Sequence, residues 1–226
     1  MEIPQSLRQR LLPRKAMLKH VDLATEKIYA FPGVPLISAE ISRFVVDVNR
    51  RRNDFSEKGV IIRRSWDGLA VWKEKPSRKE IEFLLKKYYD PFYAKIEKAL
   101  EGKENVLLLD GHSMNPFGGR NSIDPGKVRP DICLASNHLT TCSKELVLEL
   151  KELLEKEGYW VELDKPYSGR KAGIINFFSV PGKIDALLFE VNKKLYMSNI
   201  TNPGSIDEER IEKLRQDIWQ ALQKVL

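Results

Sequence analysis

The chain has 226 residues, enough to bury a proper core, and we expect one domain over residues 1–226. No stretch approaches the roughly 18 consecutive apolar residues of a membrane span, and two cysteines do not make a disulfide framework, so we expect a cytoplasmic protein. The net charge is +6, but the 38 basic residues are interleaved with 32 acidic ones, which argues against a nucleic-acid partner.

Three segments in the first third of the chain are rich in β-branched and apolar residues. They predict short strands at residues 34–38, 44–48 and 59–63. A Ser-x-x-Glu capping box, Ser77 to Glu80, then predicts the start of a long helix with apolar side chains at helical spacing. Pro91 is expected to kink or divide this helix, because proline has no backbone N–H.

Strands alternate with helices in the rest of the chain. Four strands are predicted, at residues 105–109, 131–135, 159–163 and 184–192. A helix is predicted at residues 143–158, and another begins at a capping box from Ser205 to Glu208. This alternation favours an α/β protein with a three-layer αβα architecture and a mixed, largely parallel sheet.

The segment that follows the strand at 105–109 carries an acid and an imidazole. The chain contains three histidines, so His112 at the end of a strand is a candidate functional residue. An Asp two residues before a His, here Asp110, can orient the ring for metal binding or proton transfer. The alternative is a histidine with a purely structural role.

A second polar segment covers residues 42–50, Ser-Arg-Phe-Val-Val-Asp-Val-Asn-Arg. In a strand, alternation would place Arg43, Asp47 and Asn49 on one face and the apolar residues on the other. Arg50, just past its end, could bind a carboxylate through two parallel hydrogen bonds. Such a polar face indicates either a binding pocket or a charged edge strand.

Further candidates lie in the second half of the chain. Glu190 closes the apolar run 184–189, which predicts an embedded carboxylate with a raised pKa, suited to a general base or else to an ion pair. Arg129, immediately before a strand, is a candidate anion-binding residue. Tyr167 and Arg170 lie in a loop that could contact a substrate, although turn chemistry alone explains its Pro, Ser and Gly.

Together these groups have the composition of a metal-assisted hydrolase for an acidic substrate. The sequence contains no Gly-x-Ser-x-Gly elbow, so the nucleophile would be metal-activated water. It also contains no Gly-rich phosphate loop of the Walker or dinucleotide kind.

The same segments, in this order, resemble the N-formylglutamate amidohydrolase (deformylase) family. Residues 42–50 are similar to its Ser-Arg-(aromatic)-Val-x-Asp-Leu-Asn-Arg motif, and Asp110 to Ser113 resembles its Asp-x-His-Ser segment. Further blocks are similar at residues 20–31, 129–132 and 188–197. The resemblance covers roughly residues 3–198.

The resemblance implies a zinc-peptidase-like α/β fold related to carboxypeptidases and aspartoacylase. It implies hydrolysis of the N-acyl amide of an acidic amino acid, typically N-formyl-L-glutamate to formate and glutamate. His112 and Asp22 would bind one zinc ion, and Glu190 would activate water and then protonate the leaving amine. The partner would be a small acidic N-acyl amino acid.

The resemblance also implies how the substrate is bound. Arg43, Asn49 and Arg50 would hold carboxylate groups or polarise the scissile carbonyl. The pocket would be further lined by Arg129, Tyr167 and Arg170.

The chain departs from the family at its start. The family begins with a strand ending in Pro-His-Ser/Ala-Gly, whose His would be the first zinc ligand, and residues 1–4 align just after it. A catalytic zinc normally has three protein ligands, of which His112 and Asp22 are two. Three explanations stay open: a start codon set too late, a ligand supplied by His20 or His138, or a degenerate metal site. With a degenerate site the protein would be a non-catalytic, anion-binding homologue.

Overall fold

The computed structural model describes residues 2–226; Met1, on which the question of the start codon depends, lies outside them. A four-stranded sheet is formed by β1 (Val106–Met114), β2 (Ile132–Ala135), β3 (Val161–Leu163) and β4 (Ile184–Asn192). The strand order is β1-β4-β2-β3; β1 pairs with β4 and β2 with β3 in parallel, whereas β2 runs antiparallel to β4. The predicted α/β class with a mixed, largely parallel sheet is confirmed.

Helices flank the sheet on both faces. They are, in chain order, α1 (Gln5–Arg8), α2 (Arg14–Met17), α3 (Thr25–Ile28), α4 (Arg78–Leu84), α5 (Asp90–Leu100), α6 (Lys144–Lys156), α7 (Gly173–Phe178) and α8 (Glu208–Val225). Leu187 and Phe189 of β4 belong to the core formed with α6 and α8. Ala186 and Leu188 point to the opposite face, because successive strand residues alternate, and pack with Ile175 of α7. Within residues 2–226 no helix is long and apolar enough to cross a membrane.

A second apolar core lies between residues 7–72 and the helices α4 and α5. Its buried members include Phe44, Ile62, Leu85 and Tyr93. The ring of Tyr93 stacks on Phe178 of α7 at 5.4 Å between centroids, which joins this core to the helix that covers the sheet. The packing places residues 42–50 beside the carboxyl end of β1.

The three strands predicted in the first third of the chain are not formed, so this part of the prediction was wrong. They were expected at residues 34–38, 44–48 and 59–63. The first segment has no regular secondary structure, and its Pro35 has no N–H to give to a strand ladder. The last is a bend in which the N–H of Val60 donates to the carbonyl of Asp54 at 2.8 Å.

The middle segment consists of two consecutive turns. The N–H of Val45 donates to the Ser42 carbonyl at 2.8 Å, and the N–H of Arg50 donates to the Asp47 carbonyl at 3.2 Å. Asp47 supports the second turn, since its Oδ1 accepts from the Asn49 N–H at 3.2 Å. Local bonds therefore replace a ladder, and turns rather than strand alternation arrange the polar side chains.

In the rest of the chain, the predicted bounds of strands and helices were closer to those of the structure. The predicted strand 184–192 matches β4, and β1 continues to Met114 because β4 offers it parallel partners as far as Asn192. The segment expected to follow the strand at 105–109, with Asp110 and His112, is therefore part of the strand. The short helix α7 was not predicted.

The capping box of the long helix is confirmed, with Ser77 Oγ accepting from the Glu80 N–H. The helix passes Pro91 without dividing: a π-helical turn, Leu85–Tyr89, connects α4 to α5 and changes the hydrogen-bond register just before the proline. The predicted capping box of α8 was wrong in position, because its N-cap is Asp207, whose carboxylate accepts from two N–H groups.

Replacement of Gly111 by alanine tests the packing at the carboxyl end of β1. A Cβ at Gly111 would lie 2.4 Å from a ring carbon of Tyr29, whose hydroxyl contacts the carbonyls of His112 and Phe189, each at 2.9 Å. We expect Gly111→Ala to lower the free energy of unfolding by about 1–3 kcal/mol, measured by denaturant titration. Gly119→Ala is the matched control, since its nearest neighbour would be 3.6 Å away, and an equal loss there would contradict the prediction.

Candidate active site

The candidate site lies at the carboxyl ends of the parallel strands β1 and β4. His112 and Glu190 are register partners on these strands, so their side chains project on the same face, the one covered by α7. Asp22 arrives from the segment after a short 3₁₀ helix, Leu18–His20, and its Oδ2 lies 3.2 Å from His112 Nδ1. Three residues from distant parts of the sequence thus converge.

Asp22 is held in place by the strand end itself. Its Oδ1 accepts from the backbone N–H of Ser113 at 2.8 Å and from the Ser113 hydroxyl at 2.9 Å. Burial opposes its ionisation, but His112, Arg43 and Lys193 hold the pKa of Asp22 well below its usual value. Asp22 is therefore a carboxylate at neutral pH.

The second nitrogen of the His112 ring faces another carboxylate. Asp110 lies two residues earlier on the same strand face, and its Oδ1 is 3.0 Å from His112 Nε2. The Asn49 side-chain amide donates to the other oxygen of Asp110 at 2.7 Å, while its own oxygen accepts from the Ile174 N–H at 3.2 Å. Burial would lower the pKa of His112, yet Asp110 and Asp22 raise it well above its usual value.

Glu190 behaves as the sequence suggested. Burial, and to a smaller extent the charge of Asp22, raise its pKa to about 7, while His112 and Arg43 act in the opposite direction. A carboxyl group with a pKa near neutrality can both accept and return a proton at physiological pH.

Arg43 lies between two carboxylates and an indole. Its Nη2 donates to Asp47 Oδ2 at 2.8 Å, its Nη1 is 3.9 Å from Asp22 Oδ2, and its guanidinium stacks over Trp66 at 4.7 Å. Asp47 is almost completely buried, so this pair is shielded from solvent. Its position next to Asp22 keeps Arg43 a candidate for substrate binding.

The guanidinium of Arg50 donates hydrogen bonds to two backbone carbonyls. Its Nε donates to the Lys58 carbonyl at 3.1 Å and its Nη1 to the Asn49 carbonyl at 2.7 Å. These bonds stabilise the second turn of the segment and join it to Lys58. A role of Arg50 in binding a substrate carboxylate stays a prediction.

Arg129 is buried near the same face and is already paired. It donates to both carboxylate oxygens of Asp124, each at 2.8 Å, and its guanidinium lies 5.1 Å over the Tyr167 ring. Burial, with the charge of Glu190, raises the pKa of Tyr167. Arg170, by contrast, is exposed on the following turn, so the structure does not place it with the buried members of the site.

Neither His20 nor His138 shares the surroundings of His112. The ring of His20 bonds to Asp67 at 2.7 Å and lies 5.7 Å from the ring of Trp66. The side chain of His138 is 70% exposed, with Asp164 at 3.7 Å. Their roles as a third metal ligand remain predictions.

Asp22 and His112 carry donor atoms of the kinds that bind zinc. Asp22 Oδ2 and His112 Nδ1 are 3.2 Å apart, a separation that two ligands at about 2.0–2.1 Å from one zinc ion can adopt. Asp110 supports the opposite nitrogen of the ring, as carboxylates often do for metal-binding histidines. Across residues 2–226 no group of three or more His, Cys, Asp or Glu side chains is arranged to hold a metal. The residues present therefore fit two of the three usual protein ligands.

A cavity of about 660 Å³ opens beside these groups. Its polar end includes Asp22, Arg43, Asn49 and His112, and the rest of its wall is mainly apolar. Such a cavity is large enough for a small organic acid, and it follows β1 from Val106 to His112.

Two residues of the site were not singled out from the sequence. Ser113 anchors Asp22, and Lys193, almost fully buried, lies close to the charges of Asp22 and Glu190. Lys193 and Lys194 follow a strand as two adjacent lysines, a pattern typical of a solvated strand end, and only the fold shows that Lys193 is inside.

Comparison with known proteins agrees with the geometry. The family model for N-formylglutamate amidohydrolase matches residues 1–197. N-formylglutamate deformylase from Pseudomonas putida is 25% identical over 242 residues, which cover 100% of this chain and 88% of that protein.

Two solved structures share the fold. The crystal structure of N-formylglutamate amidohydrolase from Ralstonia eutropha JMP134 superposes with a TM-score of 0.83 at 20% identity, covering 100% of this chain and 89% of that one. A gene product of Agrobacterium tumefaciens superposes with a TM-score of 0.65 at 17% identity, covering 99% and 87% of the two chains.

The raised pKa of Glu190 predicts an effect on stability. A carboxyl group whose pKa rises from 4.5 to about 7 on folding contributes stability that is fully present below pH 4.5 and lost as the pH passes 7. Glutamine imitates the protonated form. We therefore expect Glu190→Gln to leave the free energy of unfolding near the wild-type value at pH 4 and to raise it by about 3 kcal/mol at pH 8.

Chemical denaturation at the two pH values measures this difference. The matched control is Glu149→Gln, at an exposed position of α6, which should change the free energy of unfolding little at either pH. A Glu190→Gln protein less stable than wild type at pH 8 would show that the carboxylate is well compensated when charged.

Proposed function

The chain belongs to the N-formylglutamate amidohydrolase family, and we propose that it hydrolyses the N-acyl amide of an acidic amino acid, with N-formyl-L-glutamate as the first substrate to test. One observation carries the proposal: Asp22, His112 and Glu190 converge at the carboxyl ends of β1 and β4, beside a cavity. Open α/β sheets bind their ligands at this edge.

Glu190 is the proposed general base and acid. With a pKa near 7 it accepts a proton from water as the water oxygen attacks the formyl carbon. The same proton then passes to the amide nitrogen as the C–N bond breaks, which releases formate and the free amino acid. Proton gain and loss balance over one turnover, so the carboxylate is regenerated.

We propose zinc as the metal, with His112 and Asp22 as the residues that would hold it. When bound, zinc would polarise the carbonyl and lower the pKa of a water molecule. Asp110 keeps the His112 ring oriented through its other nitrogen, and Ser113 does the same for the Asp22 carboxylate.

Two arginines near Glu190 support an acidic substrate, although each is also paired with a carboxylate, Arg43 with Asp47 and Arg129 with Asp124. The charges of Arg43 and Arg129 both act to lower the pKa of Glu190, which supports a role of these arginines near the reacting groups. Arg43 also borders the cavity, together with Asn49. These arginines would favour a substrate with two carboxylates over an N-formyl amino acid with an uncharged side chain, which carries one carboxylate.

The activity test uses purified protein supplied with zinc and N-formyl-L-glutamate, with formate release as the signal. We expect turnover by the wild type and a loss of about 10²- to 10⁴-fold in kcat for Glu190→Gln, because the variant cannot take a proton. The matched control Glu149→Gln should retain wild-type kcat. Near-normal turnover by Glu190→Gln would remove Glu190 as the base.

Metal content is a separate prediction. After dialysis against zinc, we expect one bound zinc ion per chain by elemental analysis, and a loss of that ion in His112→Ala. Glu149→Gln is the control, since this side chain is exposed on α6 and was never a candidate ligand. Equal zinc in wild type and His112→Ala would exclude His112 as a ligand.

A second candidate function is anion binding without catalysis. It is favoured by the observation that residues 2–226 bring two potential zinc ligands together rather than three. Calorimetric binding of N-formyl-L-glutamate without formate release, in protein that retains no zinc, would support this second function over the first.

A further inference from the structure

Lys193 is a buried lysine at the end of β4. It opens a short 3₁₀ helix, Lys193–Leu195, and is 1% exposed. Lysine is rarely buried so completely, because removing its ammonium from water is costly unless nearby groups compensate for the loss. The surroundings of this side chain therefore call for an explanation.

The ammonium of Lys193 connects two other segments of the site. Its Nζ donates to Asn115 Oδ1 at 3.0 Å and to the Lys19 carbonyl at 3.3 Å. Asn115 directly follows the end of β1, and Lys19 lies in the 3₁₀ helix Leu18–His20. One side chain thus joins the ends of β1 and β4 to the segment that leads into Asp22.

The positions of these contacts follow the candidate site residues. Lys193 comes three residues after Glu190 on β4, and Asn115 comes three residues after His112 on β1. The other partner of Lys193, Lys19, comes three residues before Asp22. Each segment that reaches Lys193 therefore carries one of the three residues that converge.

Charge supports this arrangement. Burial lowers the pKa of Lys193 to about 8, while the carboxylates of Asp22 and Glu190 act to keep it protonated. At neutral pH the side chain is therefore mainly an ammonium, with its hydrogen-bond donors available to both partners.

We infer that Lys193 is a positioning residue that sets the distances among Asp22, His112 and Glu190 by joining their three segments. The inference deepens the proposed function, and its kinetic test rests on that function. A general contribution to folding would lower stability and activity together. A positioning role instead predicts a loss of activity larger than the loss of stability accounts for.

The first test is Lys193→Met, which keeps the length of the side chain but removes its charge and donors. We expect kcat for N-formyl-L-glutamate to fall by about 10- to 100-fold while KM stays close to the wild-type value, since the groups are displaced but the cavity remains. Lys194→Met is the matched control: this neighbouring lysine is 42% exposed and pairs with Asp131 at 2.8 Å. Unchanged kcat in Lys193→Met would overturn the inference.

A second variant removes the partner instead of the lysine. Asn115→Ala should lower kcat in the same direction, and a double-mutant cycle with Lys193→Met should show that the two losses are not additive. Additive losses would overturn the proposed contact. Asn115→Ala alone carries the test if Lys193→Met does not fold, as judged by circular dichroism.

A readout independent of turnover separates this inference from the proposed function. In protein labelled with nitrogen-15 histidine, the ring signals of His112 can be assigned from a His112→Gln sample, because the chain has three histidines. We expect Lys193→Met or Asn115→Ala to move these signals and Lys194→Met to leave them in place, at equal thermal midpoints. A wild type without turnover would contradict the proposed function alone, whereas unmoved His112 signals would contradict the role of Lys193.

Discussion

The contact of the His112 ring with two carboxylates, Asp22 and Asp110, is the interaction on which the site depends. A ring enclosed by protein needs a polar partner at each nitrogen, and Asp22 and Asp110 lie within hydrogen-bond distance of the two. Asp110 can do so because it lies two residues away on one strand, whereas Asp22 must be brought there by the fold. The backbone of Ser113 and the ammonium of Lys193 keep that distant segment in place.

The sequence predicted the elements whose pattern is local. The strand 184–192 and the capping box at Ser77 were found because an apolar run and a Ser-x-x-Glu signal need no information from elsewhere. The segment 42–50 alternates like a strand, yet its apolar side chains all enter the core while Asp47 closes a turn. Here tertiary packing outweighed the local preference for extended structure.

For the candidate site, the sequence identified residue types but not their partners. His112 and Glu190 were singled out from their positions at strand ends, and Asp22 only through the family resemblance. The sequence could not show that Arg50 is engaged by backbone carbonyls, or that Lys193 is buried, because these contacts join residues far apart in the chain or depend on turn geometry. The sequence thus indicates the chemical type of each site residue, but the fold is needed to know which residues it contacts.

The position of β1 at the edge of the sheet has a consequence for its outer side. The N–H of Val106 donates towards β4, to the Lys183 carbonyl, so the alternate residues Leu107 to Ser113 turn their backbone groups outward. An outward row of this kind is a template for another strand. At its last position the Asp22 carboxylate already occupies the Ser113 N–H, as a neighbouring carbonyl would. Asp22, which contacts the imidazole of His112, therefore also blocks the last outward N–H of this strand, so an added strand could pair with β1 only before Ser113.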